Sequence, residues 1–256
     1  MAMAKKNRLP VILTLSRSLI GGVKETYSHL GLSAFHSLLW TLMQVPFWLV
    51  ILSVLQKPDP KTPTPWLFII VVAVLTGGFL AGPANAAMLY VARLVREDEA
   101  RIRDFFIGFK KYYWRTAAVY SSFVCLICLL LADIALAARI KSILVLLSLL
   151  LALYALIFLF MLSSHLFPLL VLQKNTFRKV WRKAALLTLD NGFLSFLYAV
   201  LMTACFVLSC LLPIIVVLFF PAAAAHISLG FFETLLSKYD EPDTTAADAE
   251  SDQTVE

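Results

Sequence analysis

The sequence predicts an all-α integral membrane helical bundle, with five or six transmembrane helices and interfacial amphipathic helices beside them. Three observations predict it. Of 256 residues, 61% are hydrophobic and only 15% charged, whereas a water-soluble domain is about one quarter charged. A chain this small cannot hide so much apolar surface among its own atoms, so lipid must solvate much of it. The basic residues lie in short polar stretches between the apolar runs, as membrane topology places them.

The amino-terminal segment, residues 1–33, is mixed. Lys5, Lys6 and Arg8 precede a short apolar stretch that Arg17 interrupts, and no small-x-small cleavage site follows. The segment therefore reads as retained rather than as a signal peptide. Ile12, Leu15, Leu19 and Ile20 recur at helical spacing. That pattern suits a helix in the headgroup region or an ordinary cytoplasmic extension.

The transmembrane domain is expected over residues 34–238. Its first span is 34–56, with Trp40, Trp48 and a kink at Pro46. The proline-rich stretch Lys57 to Pro65 cannot be helical and forms a loop on the outer side. The second span, 66–91, carries Gly78, Gly82, Pro83, Asn85 and Ala86. Gly78, Gly82 and Ala86 are spaced by four and share one helix face, where small residues let another helix approach closely. Pro83 cannot donate to the carbonyl of Phe79, so a bend is expected there, with Asn85 near the freed groups.

From Ala92 to Arg115 the chain is polar and basic, yet Val95, Ile102, Phe105, Phe106, Phe109 and Tyr113 keep helical spacing. An amphipathic interfacial helix is expected, presenting Phe106, Phe109, Lys110 and Arg115 to the membrane surface. Span three is 116–137. A short outer turn with Arg139 and Lys141 leads to span four, 142–172, which holds His165 and Pro168. Residues 173–191 form a second basic loop. From Gly192 to Phe232 the chain is apolar for about forty residues. One straight helix of that length would be about 60 Å long, twice the hydrocarbon thickness. A hairpin of two spans, 193–212 and 213–234, is favoured; the alternative is one span and a surface helix from Pro221. The tail, 239–256, holds seven acidic residues and no Lys or Arg, and is expected to be disordered.

Residues 1–33, 92–115 and 173–191 contain 5, 7 and 5 Lys plus Arg, against 4 in the opposite loops. This puts the amino terminus and the basic stretches in the cytoplasm. Six spans place the tail inside; five place it outside.

Signatures of chemistry are sparse. No Walker loop, dinucleotide glycine fingerprint, HExxH or GxSxG is present, so no catalytic, cofactor-binding or metal site is assigned. Cys125 and Cys128 form a CxxC without a second pair, and all four cysteines read as apolar packing residues. His29, His36, His165 and His226 read as packing or interfacial groups. Intramembrane polar residues are functional candidates because lipid disfavours them. Asp133 suits snorkelling to water or to Arg139, or an ion-coupling role; Asn85 beside Pro83 suits helix packing, or a broken-helix site of the transporter kind. The basic stretches flank apolar runs and lack an aromatic-interleaved surface, which argues against nucleic acid.

Two stretches carry a family resemblance: LLWTLMQVPFW, Leu38 to Trp48, and AGPANAAMLYVARLVREDEARIRDFFIGFKKYYWR, Ala81 to Arg115. They resemble the YesL-like family of bacterial multi-pass membrane proteins, a domain family of unknown function. The matching positions are Trp40 and Pro46, then Gly82, Pro83, Ala86 and Ala87, the charged stretch Arg96 to Arg103, and Phe106, Phe109 and Lys110. Ser37 and Phe79-Leu80-Ala81 depart from the family pattern. The resemblance implies a bacterial membrane protein often encoded beside carbohydrate-uptake and utilisation genes, and it supplies no activity. The expected function is an accessory or interaction component contacting lipid and other membrane proteins, among them carbohydrate-uptake components, with a homo-oligomer compatible. The alternative is a small transporter or channel with a path near Pro83, Asn85 and His165.

Overall fold

The computed structural model describes residues 11–55, 66–137, 143–173, 175–237 and 239, and every regular element among them is helical. The chain runs α1 (Val11–Ser28), α2 (Leu30–Leu55), α3 (Trp66–Thr76), a π-helical turn (Gly77–Ala81), α4 (Gly82–Arg96), α5 (Asp104–Ala137) and α6 (Ile143–Val171). Then come α7 (Phe177–Asp190), α8 (Gly192–Cys210), α9 (Pro213–Leu218) and α10 (Phe220–Leu236). Five stretches are long and apolar enough to cross a membrane: Leu30–Ser53, Phe68–Arg96, Asp104–Ala135, Leu147–Val171 and Gly192–Cys210. The expected loop at Lys57 to Pro65, the turn with Arg139 and Lys141, and the tail beyond Tyr239 lie outside the described residues.

The surface is apolar where a soluble protein would be polar. On α2, Leu38, Leu42, Val45, Leu49 and Leu52 occupy one face and are all exposed, while His36, Ser37 and Gln44 point inward and are buried. On α6, Leu147, Leu150, Leu151, Tyr154 and Ile157 form a similar outward stripe. This inversion is what a lipid solvent produces.

The second span is not a uniform helix. Its middle is a π turn in which Gly82 N–H donates to the carbonyl of Gly77, five residues back. Pro83, one residue later, has no N–H to give to Phe79, and the wider turn absorbs that break without parting the helix. The small residues beside it are occupied by the chain itself. A Cβ on Gly78 would lie 2.9 Å from Ser121 Cβ, and one on Gly82 would lie 2.8 Å from Tyr120 Cβ, both on α5.

The stretch 92–115, expected as one amphipathic interfacial helix, is divided instead. α4 continues to Arg96, the chain turns through Asp98 at φ 55°, and α5 begins at Asp104 and runs unbroken into the third span. Asp104 accepts a hydrogen bond from Arg101 N at 2.6 Å and closes the turn. The amphipathic helix lies in the second basic stretch, which was expected as a loop. There α7 buries Val180, Ala184 and Thr188 and exposes Arg178, Lys179, Arg182 and Lys183 together with Leu186 and Leu189. α1 is a second amphipathic helix, packed along α10 with Leu15, Ser18 and Thr26 inward.

The final apolar stretch returns across the bundle in two pieces. α8 leads away from Asn191, α9 and α10 lead back, and Tyr239 meets Asn191 again, with Nδ2 of Asn191 donating to the Tyr239 hydroxyl at 2.6 Å. The break between α9 and α10 has a definite cause. Pro221 removes the N–H that would bond the carbonyl of Val217. Ser37 Oγ on α2 accepts from Ala222 N at 3.2 Å, while Thr41 Oγ1, which donates to the Ser37 carbonyl at 2.9 Å, lies 3.3 Å from the Val217 carbonyl. The Ser37 hydroxyl on α2 thus satisfies a freed N–H at a break that lipid could not.

Candidate functional site

Asn85 sits on α4 one turn past the π segment. Its Oδ1 accepts from Trp40 Nε1 at 2.7 Å and from Gln44 Nε2 at 3.3 Å, both on α2. An indole nitrogen only donates, so this contact fixes which end of the amide faces α2. The Nδ2 group, with two N–H donors, is turned the other way. Among the described residues it has no hydrogen-bonding partner.

Asn85 and Trp40 line a cavity of about 370 Å³ enclosed by α2, α4, α6, α8 and α10. Met88 and Leu89 on α4 form its floor, only 4% and 3% exposed. Its rim includes Phe160 and Ser163 on α6 and Thr203 on α8; Phe160 is 40% exposed and Thr203 is exposed. Phe160 and Thr203 lie near the middles of the spans Leu147–Val171 and Gly192–Cys210. The exposed lining residues therefore sit at hydrocarbon depth. The lining is mainly apolar, with a few polar groups held in place, the ordinary composition of a small-molecule site. Pro168 lines it too, and its missing N–H leaves the carbonyl of Ser164 without a helical donor.

A charged cluster joins α1, α4 and α10. Arg96 Nε donates to Glu25 at 2.7 Å, its Nη1 to Glu233 at 2.5 Å, and its Nη2 to the carbonyl of His226 at 3.0 Å. His226 Nδ1 lies 2.9 Å from the same Glu25 oxygen. Three acceptors arranged around one guanidinium suit its planar fork. A Cβ on Gly22 would fall 2.7 Å from the backbone nitrogen of Ile227, so α1 and α10 touch at backbone distance beside this cluster.

The remaining candidates are dispersed. His165 does not line the cavity: its Nε2 lies 2.8 Å from Ser195 Oγ and its ring stacks on Phe231. Pro83 and Ala86 are buried in the α4 core. Asp133 is exposed near the far end of α5, and its suggested partner Arg139 lies outside the described residues. Phe106, Lys110 and Arg115 are exposed along the first turns of α5, with Phe109 half-buried. Cys125, Cys128 and Cys205 are half-buried and Cys210 exposed, rather than packed inside as expected; an outward thiol is at ease because lipid is as apolar as a core. Among the described residues no group of three metal-ligating side chains occurs.

Sequence reasoning singled out Asn85 but not the cavity, which needs five helices from across the chain. Arg96 stood out only as the start of the charged stretch that carries the family resemblance, and Glu25 and Glu233 did not stand out as a site. Their one legible signal is position, a charge at the polar edge of each apolar run. Residues 35–134 match a family described as a protein of unknown function, DUF624. The match spans α2 to the end of α5 and includes Trp40, Gln44, Asn85, Arg96 and both packing glycines. No curated protein and no solved structure matches the chain.

Proposed function

We propose that this multi-pass membrane protein works by binding rather than catalysis, as an accessory component of a bacterial cytoplasmic membrane. Its amino terminus and basic stretches face the cytoplasm, following the Lys and Arg bias. The observation supporting a binding role is the cavity with Asn85 clamped by Trp40 and Gln44. A link to carbohydrate uptake or use rests on the resemblance to the YesL-like family alone. The cavity does not suit a sugar, whose many hydroxyls need a polar partner each. The link would therefore run through partner proteins. The Gly78 and Gly82 face, expected to meet such partners, is taken by α5. The exposed face of α5 at Phe106, Lys110 and Arg115, and the outer face of α7, are the surfaces left for them.

Affinity isolation of the full chain from gently solubilised native membranes tests the accessory role. Enrichment of carbohydrate-uptake subunits, lost in a Lys110→Glu, Arg115→Glu variant, is the expected result. Recovery of the chain without such subunits would overturn it. A second reading, a small transporter, is favoured by the broken α9–α10 pair, whose Pro221 lines the cavity; discontinuous helices border the sites of many transporters. Vesicles holding the protein would then show solute flux that Thr203→Trp blocks, and no flux beside an active control would eliminate this reading.

A further inference from the structure

We infer that the cavity holds the acyl-chain end of a lipid-derived amphiphile, a fatty acid or a glycerolipid ester, whose carbonyl oxygen accepts a hydrogen bond from Asn85 Nδ2. This rests on the binding role proposed above and names its ligand. Three features of the site select that chemistry. The exposed lining residues, Phe160 and Thr203, lie near the middles of two spans, at hydrocarbon depth, so the ligand arrives through the bilayer rather than from water. The floor of Met88 and Leu89 is apolar, which favours a methylene chain over a polar body. Asn85 offers an oriented donor, an amide N–H₂ whose oxygen is already saturated by Trp40 and Gln44. An N–H₂ facing an apolar cavity without an acceptor is unfavourable, and a carbonyl oxygen removes that cost. A neutral donor suits an ester or a protonated acid, since an ionised head would lose its hydration with no cation to replace it.

Photolabelling of the full-length protein in nanodiscs tests this. Three probes carry a diazirine close to the head end: a long-chain fatty acid, an uncharged diacylglycerol with the same chain, and an alkane lacking any acceptor. Bulk lipid reaches outward residues such as Leu151 and Leu208, but not Met88 or Leu89, which are 4% and 3% exposed. The acid, the ester or both should label Met88 and Leu89, and which of them does so identifies the source. The alkane should label these positions about tenfold less, the loss of one hydrogen bond. Thr203→Trp fills the rim without touching Asn85 or its partners, and should abolish labelling of Met88 and Leu89 while leaving Leu151 labelled. Labelling confined to outward residues, or equal labelling of Met88 by the alkane, would overturn the inference. Partner enrichment in the isolation experiment would survive that failure, so the two claims fall separately.

Discussion

Gly21 and Gly22 are neighbours in α1, and only one of them touches another helix. A Cβ on Gly21 meets nothing within 4 Å, whereas one on Gly22 lies 2.7 Å from Ile227 N and 3.0 Å from Ile227 Cα. A clash with backbone cannot be relieved by rotating a side chain. Gly22→Ala should therefore destabilise the protein by about 1–3 kcal/mol, and Gly21→Ala should be neutral or stabilising by about 0.5–1 kcal/mol. Denaturant titration of both variants in one detergent checks the difference, and equal effects would mean that α1 does not pack on α10 this closely. The sequence made some of these residue roles readable and hid others. Gly78, Gly82 and Asn85 stood out because glycine and amide groups are rare inside an apolar run. Gly22 did not, since it lies in a mixed segment and its neighbour in space is more than two hundred positions away in the chain. Ser37 was equally unreadable: its value as a cap for the α9–α10 break depends on the register between helices from opposite ends of the molecule.

At the scale of elements, the apolar runs announced where helices lie, because a span must satisfy its own backbone and be about twenty residues long. Their ends were less legible. α5 absorbed the basic stretch that looked like a separate helix, because nothing between Asp104 and Thr116 breaks helical geometry. α7 formed where a loop was expected: its buried positions, Val180, Ala184 and Thr188, are four apart, and the charges between them mask that stripe. α1 is held by Arg96 as well as by close packing. Arg96→Met would remove the three hydrogen bonds that tie Glu25, Glu233 and the His226 carbonyl together. These groups are partly exposed, so solvent screening limits the loss to about 1–2 kcal/mol. Amide hydrogen exchange in Val11–Ser28 should then quicken by about tenfold, the factor that corresponds to about 1.4 kcal/mol. Exchange in Gly192–Cys210 should be unchanged. Unaltered protection of α1 would show that the cluster does not anchor it.

For the whole molecule, charge bias along the chain gave two consistent sides but left the carboxyl-terminal side open. Only Lys238 bore on that choice. Tyr239 reaches Asp190 and Asn191, so the chain after α8 returns to the end of the bundle from which α8 set out. Burial and the hydrogen bond to Asp190 raise the Tyr239 hydroxyl above its ordinary pKa, as expected of a docked rather than a free end. α9 and α10 thus run back beside the five helices long enough to cross a membrane, broken at Phe219 and packed inside the bundle by Pro221, Ala225 and Phe231. That broken return forms one wall of the cavity, so topology and proposed binding stand together. Cysteine labelling with a membrane-impermeant maleimide tests it most directly. Lys110→Cys, Lys183→Cys and Asp243→Cys would be made singly in a background without the four native cysteines. All three should react only once the cytoplasmic face is opened; reaction of Asp243→Cys from the side opposite Lys183→Cys would contradict the return of α9 and α10 to the end of the bundle where α8 begins.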